Sequence, residues 1–452
     1  MSVSPSVKCL TFAGSDMDVL ALHRLNAQRY PFLLQSVAHG QLGRYDILFA
    51  FPQEKRVLKD AAEAEAFQQG FHEDYHALHT EATELDLPFS GGWFGYFSYE
   101  YAQVVEPSLA LPASDLPLAV LVRIPAAVIV DHLHHQWHLV AEVGFEDCLA
   151  DMQRDLEKAQ AWSNAAETSP KPLSVADTWE EPDSKYLNGI QAIKDYILAG
   201  DIFQVNLSRE WRFTLASGDY VEVYAALRRH NPAPFAACAQ FGDWQLLSSS
   251  PERLVRTHGD WVEARPIAGT RKRLADAAGD HALVEELISH PKERAEHIML
   301  IDLVRNDLGR ICVPGTVEVN ELMVVESYEH VHHIVSNVRG HLQAGMTPLE
   351  VLHATFPGGT ITGCPKVRCM EIIAELEQAP RQAYTGSLGY INRDGSMDFN
   401  ILIRSFLQRD QQLSLRTGAG IVADSVAERE LQEARHKAKG LLNALSAGAG
   451  ND

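Results

Sequence analysis

Two segments each place a pair of carboxylates on one helix face. In PKERAEHIML, Glu293 and Glu296 stand at i,i+3. Near the C-terminus Glu430 and Glu433 repeat that spacing, with Lys437 one turn on. Two helices that offer carboxylates can hold a hard divalent cation such as Mg²⁺. The alternative is a solvated acidic face. A third segment, FPGGTITGCPKVRCMEII (356–373), joins glycines, hydroxyls and a lysine ahead of a helix. Gly358, Gly359 and Gly363 leave backbone N–H groups uncovered, Thr360, Thr362 and Lys366 add donors, and a helix N-terminus favours an anion. The plain alternative is a tight turn. The spacing is not GxxxxGK[ST], so nucleotide phosphate fits poorly.

TGAGIVADS (417–425) reads as a second glycine turn running into a helix, with Arg404 on an adjacent strand. Two N–H-rich turns plus an arginine suit a ligand with two carboxylates. A dianion bound by a chain of net charge −21 needs compensating positive charge, which Mg²⁺ supplies. Glu252 in SSSPERL can act as a general acid beside such a pocket, or be salt-bridged. His332 and His333 follow the run ELMVVE, where a histidine is more often a structural hydrogen-bonder than a catalyst.

These residues need elements to position them. KYLNGIQAIKDYILAG (185–200) has Leu187, Ile190, Ile193 and Ile197 at helical spacing and Gly200 as its stop. FQVNLSREWRF alternates as a strand. DWQLLSSSPERLVRT and WVEARPIAGT read as two strands joined at His258-Gly259-Asp260, which brings Glu252 close to Ala268. Residues 283–308 read as helix, with Leu283, Leu287, Ala295, Met299 and Leu303 on one stripe. Thr347-Pro-Leu-Glu350 is a capping box, and Ser425 with Glu428 makes a second. GSMDFNILIRSFL reads as one strand with Asp398, Asn400, Leu402 and Arg404 on a shared face. KRVLKDAAEAEAFQQGF reads as helix, and the apolar run 116–130, broken by Arg123 and Pro125, as buried strand.

The chain has 452 residues, 46% of them apolar, enough to bury a large core. With 39 basic against 60 acidic residues, it has no general affinity for nucleic acid or anionic membrane. The six scattered cysteines form no CxxC pair, which reads as free thiols in a reducing compartment. MSVSPSVKCLTFAG does not resemble a signal peptide, and no apolar run is long enough to span a membrane. The expected location is therefore cytoplasmic. The expected organisation is an N-terminal region (1–162), a Ser/Pro/acid-rich linker (163–184) and a catalytic region (185–446).

Taken together, SPE, RPIAGT, ERAEHIMLIDLVRNDLGR, HIVS, FPGGTITGCPK, MDFNILIRS and GAGIVADS resemble the chorismate-utilising enzymes. These comprise anthranilate, aminodeoxychorismate, isochorismate and salicylate synthases. The resemblance is dense over 185–445 and looser through FLLQSVAHGQLGRYDIL and PFSGGWFGYFSYEYAQ. It implies an α/β (α+β) fold in which two antiparallel sheets pack face to face as a large β-sandwich with helices outside. It implies a site for chorismate with Mg²⁺. In that reading Glu252 is the general acid for the departing hydroxyl. Glu296 and Glu433 are metal ligands, with Glu293 and Glu430 beside them. Arg404, Gly420, Lys437 and Tyr384 hold carboxylates, Thr362 and Gly363 line the ring site, Gly269 and Thr270 bind substrate as well, and His333 sits near the reacting face.

Gln204 stands where water-using members carry a lysine base. Glutamine cannot act as a base, which points to members that take ammonia from a separate glutamine amidotransferase subunit. Ala268 stands where many aminodeoxychorismate synthases carry a nucleophilic lysine, and taken alone it favours anthranilate synthase. The chain length, Gln35 in LLQS and GGWFGYFSYEYAQVVEPSL favour the aminodeoxychorismate group, which is the expected membership. Lys272 is the nearest lysine that could stand in. Ser36, Pro234 and Phe235 resemble the family's tryptophan pocket; plain core packing is the alternative.

Overall fold

Alternation of apolar and polar residues builds two antiparallel sheets, one of twelve strands and one of ten. The computed structural model describes residues 6–446 except 15–16, 38–42, 84, 165–172, 275 and 329–330. The sheets lie face to face. Phe32 of the larger stacks on Phe94 of the smaller with ring centroids 4.1 Å apart, and Phe49, Val120, Ile129 and Leu246 bury around them. Strands from the first 162 residues enter both sheets: Phe32–Gln35 pairs with Phe235–Gln240, and Gly92–Phe97 with Ser387–Asn392. Among the described residues no helix is long and apolar enough to cross a membrane.

The second part contributes β1 (Gln204–Ser217), β2 (Arg253–His258), β3 (Trp261–Ala264), β4 (Ile267–Lys272), α1 (Ala277–Ser289), α2 (Pro291–Gly309), β5 (Val331–His341), α3 (Lys366–Glu377), β6 (Met397–Asn400), β7 (Ser405–Arg409), β8 (Gln412–Ile421) and α4 (Ala427–Ser446). A helix over Asp183–Ala199 precedes them. It stops at Gly200, whose φ of 84° is left-handed. The β2–β3 hairpin turns at Gly259-Asp260, with His258 opposite Trp261. Thr347 and Glu350 form their capping box.

Several expectations are corrected. Of the expected linker, residues 165–172 lie outside the described residues. Residues 174–180 form a strand paired with β1, and its mostly exposed side chains explain the missing apolar periodicity. Residues 55–71 split into a strand, Lys55–Leu58, and a helix, Ala64–Leu78. The run 116–130 gives two strands parted at Pro125, which has no N–H to donate. WVEARPIAGT breaks at Arg265-Pro266 into β3 and β4 for the same reason.

The helix expected over 283–308 is two helices, because Pro291 starts α2 afresh. That restart resets the phase, so α2 buries His297, Leu300, Ile301 and Leu308, while Ala295 is exposed. MDFNILIRS is not one strand. β6 belongs to the smaller sheet and β7 to the larger, so Asp398 and Arg404 share no face. The chain crosses between them at 401–404, where Arg404 takes φ 52°. The GAG segment is not a turn but the interior of β8, with Gly418 opposite Ser208 and Gly420 opposite Asn206. The Ser425 hydroxyl accepts the Val422 N–H at 3.1 Å, and α4 starts at Ala427.

Candidate active site

Glu252 lies just before β2, with its backbone carbonyl accepting the Ile401 N–H at 3.0 Å. Its carboxyl is buried, which pushes its pKa up to about 7. The Thr360 hydroxyl, the Ile267 N–H, Arg404 and Lys437 pull the other way without cancelling burial. Its Oε1 has no hydrogen-bond partner among the described residues. Such a carboxyl can carry a proton near neutrality and donate it.

Arg404 is carried into the interior by the crossing between the sheets. Burial lowers its pKa and the nearby Glu252 raises it. Among the described residues its guanidinium makes no salt bridge or hydrogen bond. A desolvated cation without a partner is costly, and an anionic ligand satisfies it. Lys437 on α4 donates to the Gly418 carbonyl at 3.1 Å and pairs with Glu433 at 2.9 Å.

His333 on β5 is buried. Burial first, then Arg404, holds its pKa down at about 3, so the ring is neutral, and it faces the Gly269 carbonyl. Gly269 forms a bulge between Ala268, opposite Ile334, and Thr270, opposite His333. Its φ of 61° favours glycine, and a Cβ there would lie 2.9 Å from Glu293 Oε2. Thr362 is buried, donates its hydroxyl to the Gly358 carbonyl at 3.0 Å and accepts the Asn206 N–H at 2.9 Å. Gly363 pairs with Val205, and Gln204 lies against Gly420, where a Cβ would come within 2.2 Å of its Nε2. Tyr384 is buried under Arg381, whose guanidinium sits 5.5 Å from the ring. Burial pushes its pKa up to about 12, so the phenol keeps its proton.

The structure thus brings Glu252, Arg404, Lys437, His333 and Gly269 into one neighbourhood, and Gln204, Gly363 and Gly420 against each other. Two lysines fall outside. Lys366 donates to Asp307 at 2.7 Å, so it is spent on a structural ion pair. Lys272 is exposed, opposite Val331 at the far end of β4 from Ala268.

The carboxylates on α2 and α4 have the hard oxygens Mg²⁺ prefers. They do not close into a cage: among the described residues no three His, Cys, Asp or Glu side chains form a metal-holding group. Arg271 holds Glu293 at 3.2 Å and Lys437 holds Glu433. Glu296 is partly buried on the same helix as Glu293, and Glu430 lies one turn before Glu433 on α4.

Three contributors escaped sequence reasoning. Thr360, a loop donor by its sequence, lies beside Glu252. Arg381 donates to the buried Glu377 at 2.6 and 3.0 Å while stacking on Tyr384; its place three residues before that tyrosine was the available signal. Asn206 follows Gln204 by two in an alternating strand, a spacing that shares a face. Away from this site, Ser36, Pro234 and Phe235 line a cavity of about 360 Å³. The Ser36 hydroxyl donates to the Pro234 carbonyl at 3.2 Å, and Arg253, paired with Asp398 at 2.8 Å, covers Phe235.

The family model described as chorismate binding enzyme matches residues 30–443. The chain belongs to the chorismate binding enzyme family. It is 40% identical over 443 residues to aminodeoxychorismate synthase component 1 of Bacillus subtilis, covering 92% of this chain and 94% of that one. It is 39% identical over 438 residues to anthranilate synthase component 1 of Thermus thermophilus, covering 92% of each. The solved anthranilate synthase component I from Streptococcus pneumoniae superposes with a TM-score of 0.78 at 28% identity, over 95% of this chain and 98% of that one. As a chorismate-utilising enzyme, this chain sets the protonatable Glu252 carboxyl near the partly buried Arg404 guanidinium.

Proposed function

We propose that the chain aminates chorismate at C4, giving 4-amino-4-deoxychorismate in the cytoplasm for 4-aminobenzoate and folate synthesis. The ammonia comes from a separate glutamine amidotransferase subunit. The observation that carries the chemistry is the buried Glu252, poised near neutrality and coupled electrostatically to the nearby Arg404 guanidinium. Arg404 and Lys437 hold carboxylate. Glu252 protonates the departing hydroxyl, which leaves as water while the C–O bond breaks and a C–N bond forms. The extra proton on the new amine returns to the Glu252 carboxylate, so atoms and charge balance. Gln204 carries no basic nitrogen to activate water, which favours ammonia over water as nucleophile. With Ala268 in β4 and Lys272 exposed, ammonia attacks the ring directly.

Mg²⁺ would be held by Glu296 and Glu433, with Glu293 and Glu430 beside them, and would offset the negative charge of the bound dicarboxylate. Binding it requires Glu293 to leave Arg271 and Glu433 to leave Lys437. The cavity at Ser36, Pro234 and Phe235 is assigned to tryptophan. A second reading, anthranilate formation, is favoured by Ala268 and by relatives of that name at 37–39% identity.

Product identification decides between them. The chain is incubated with chorismate, Mg²⁺ and ammonium at alkaline pH, with and without aminodeoxychorismate lyase. The proposal expects 4-aminobenzoate only when the lyase is present. Anthranilate formed without lyase overturns it in favour of the second reading.

A further inference from the structure

We propose that Asn206, together with Gln204, holds the ammonia that attacks the substrate. This rests on the amination reading above and adds the place where the nucleophile waits. The two residues alternate with Val205 and Leu207, which bury in the apolar core, so both carboxamides project from the opposite face of β1. Gly420 lies directly across from Asn206 on β8, and the Gln204 amide fills the space a Cβ there would take. Both carboxamide oxygens, Gln204 Oε1 and Asn206 Oδ1, are buried and receive no hydrogen bond from the described residues.

Two buried acceptors on one strand face call for a ligand that donates at least twice. Ammonia has three N–H groups, so it can donate to both oxygens and keep its lone pair free for attack. Water could also donate twice, but it needs a base, and neither carboxamide takes a proton. The Asn206 backbone is fixed independently of its side chain. Its N–H goes to the Thr362 carbonyl at 2.9 Å, and its carbonyl accepts from Arg381 at 2.7 Å. The same backbone contacts hold the ring-site loop, so the acceptor pair is tied to the place where substrate is expected.

The test titrates free ammonia at saturating chorismate for Asn206→Leu, Gln204→Met and Asn206→Asp, with melting temperatures measured alongside. Asn206→Leu and Gln204→Met are expected to raise the KM for ammonia about tenfold or more, the loss of one hydrogen bond to a buried acceptor. The KM for chorismate should stay within about twofold, because no carboxylate contact is touched. Asn206→Asp keeps an acceptor oxygen and should retain most of the ammonia affinity. An unchanged ammonia KM in a folded Leu or Met variant overturns the proposal, as does a parallel rise in both KM values. If Asn206→Leu does not fold, Gln204→Met decides by the same criterion. A wild-type chain that consumes chorismate without ammonia sinks the amination reading itself, and that outcome is seen before any variant is made.

Discussion

Lys366, the first residue of α3, donates to the Asp307 carboxylate near the end of α2 at 2.7 Å. Both side chains are mostly buried, and Lys366 offsets the rise that burial imposes on the Asp307 pKa. Lys366→Met strands a buried carboxylate and is expected to destabilise the protein by about 3 kcal/mol. Urea unfolding measures this. Unchanged stability with a raised KM for chorismate would return Lys366 to the binding site.

Glu252 must carry a proton to donate it. Its pKa is pushed up to about 7 by burial, so the acid form dominates below pH 7 and is lost above it. At fixed free ammonia, kcat/KM for chorismate is expected to fall about tenfold per pH unit on the alkaline side. Glu252→Gln should lower kcat by about 10² or more and flatten that limb, leaving the KM for chorismate nearly intact. A pH profile unaltered by this substitution would rule Glu252 out as the acid.

Two glycines should behave oppositely. At Gly420 an added methyl meets only the end of the Gln204 side chain. Gly420→Ala should therefore cost less than about 1 kcal/mol of stability while displacing the amide and cutting turnover. At Gly363 the methyl would come 2.1 Å from the Gln204 carbonyl at φ 139°. Gly363→Ala should cost about 2 kcal/mol or more. Thermal unfolding of both, read beside kcat, separates the effects.

Chelation should abolish turnover, and added Mg²⁺ should restore it. Glu433→Gln removes a proposed ligand and also frees Lys437 from its ion pair. The Mg²⁺ concentration for half-maximal rate should then rise about tenfold or more, as loss of one charged ligand would cause. Full activity in chelator argues against the metal.

The cavity at Ser36 gives a binding test. Tryptophan at a hundred times its Kd would stabilise the fold by about 2.7 kcal/mol. A rise in Tm with millimolar tryptophan is expected, abolished by replacing Ser36 with a bulky residue. No shift in Tm removes tryptophan as its ligand.

Local signals in the chain were strong where one residue type permits one backbone outcome. Gly200 ends its helix, Thr347 caps the helix Pro348–Thr355, and Gly259-Asp260 turns the hairpin. Such features involve neighbours in sequence only. The misread elements share another property. The GAG segment looks like a turn, because glycine often marks one, yet long-range pairing with β1 extends it as strand. The run through Arg404 alternates as a single strand, yet its two halves belong to different sheets.

The sequence by itself determined the residue types of the site: a carboxylic acid at 252, an arginine at 404, an amide at 204 and no amine at 268. Those choices limit the chemistry wherever the side chains end up, because protonation and hydrogen bonding belong to the group. Only the tertiary structure decided which groups are dry, which are paired and which meet. It left Arg404 without an ion partner among the described residues, gave Lys366 to Asp307 and buried the Gln204 and Asn206 oxygens on one strand face. Burial and pairing come from contacts between segments up to hundreds of residues apart, and no local pattern encodes them.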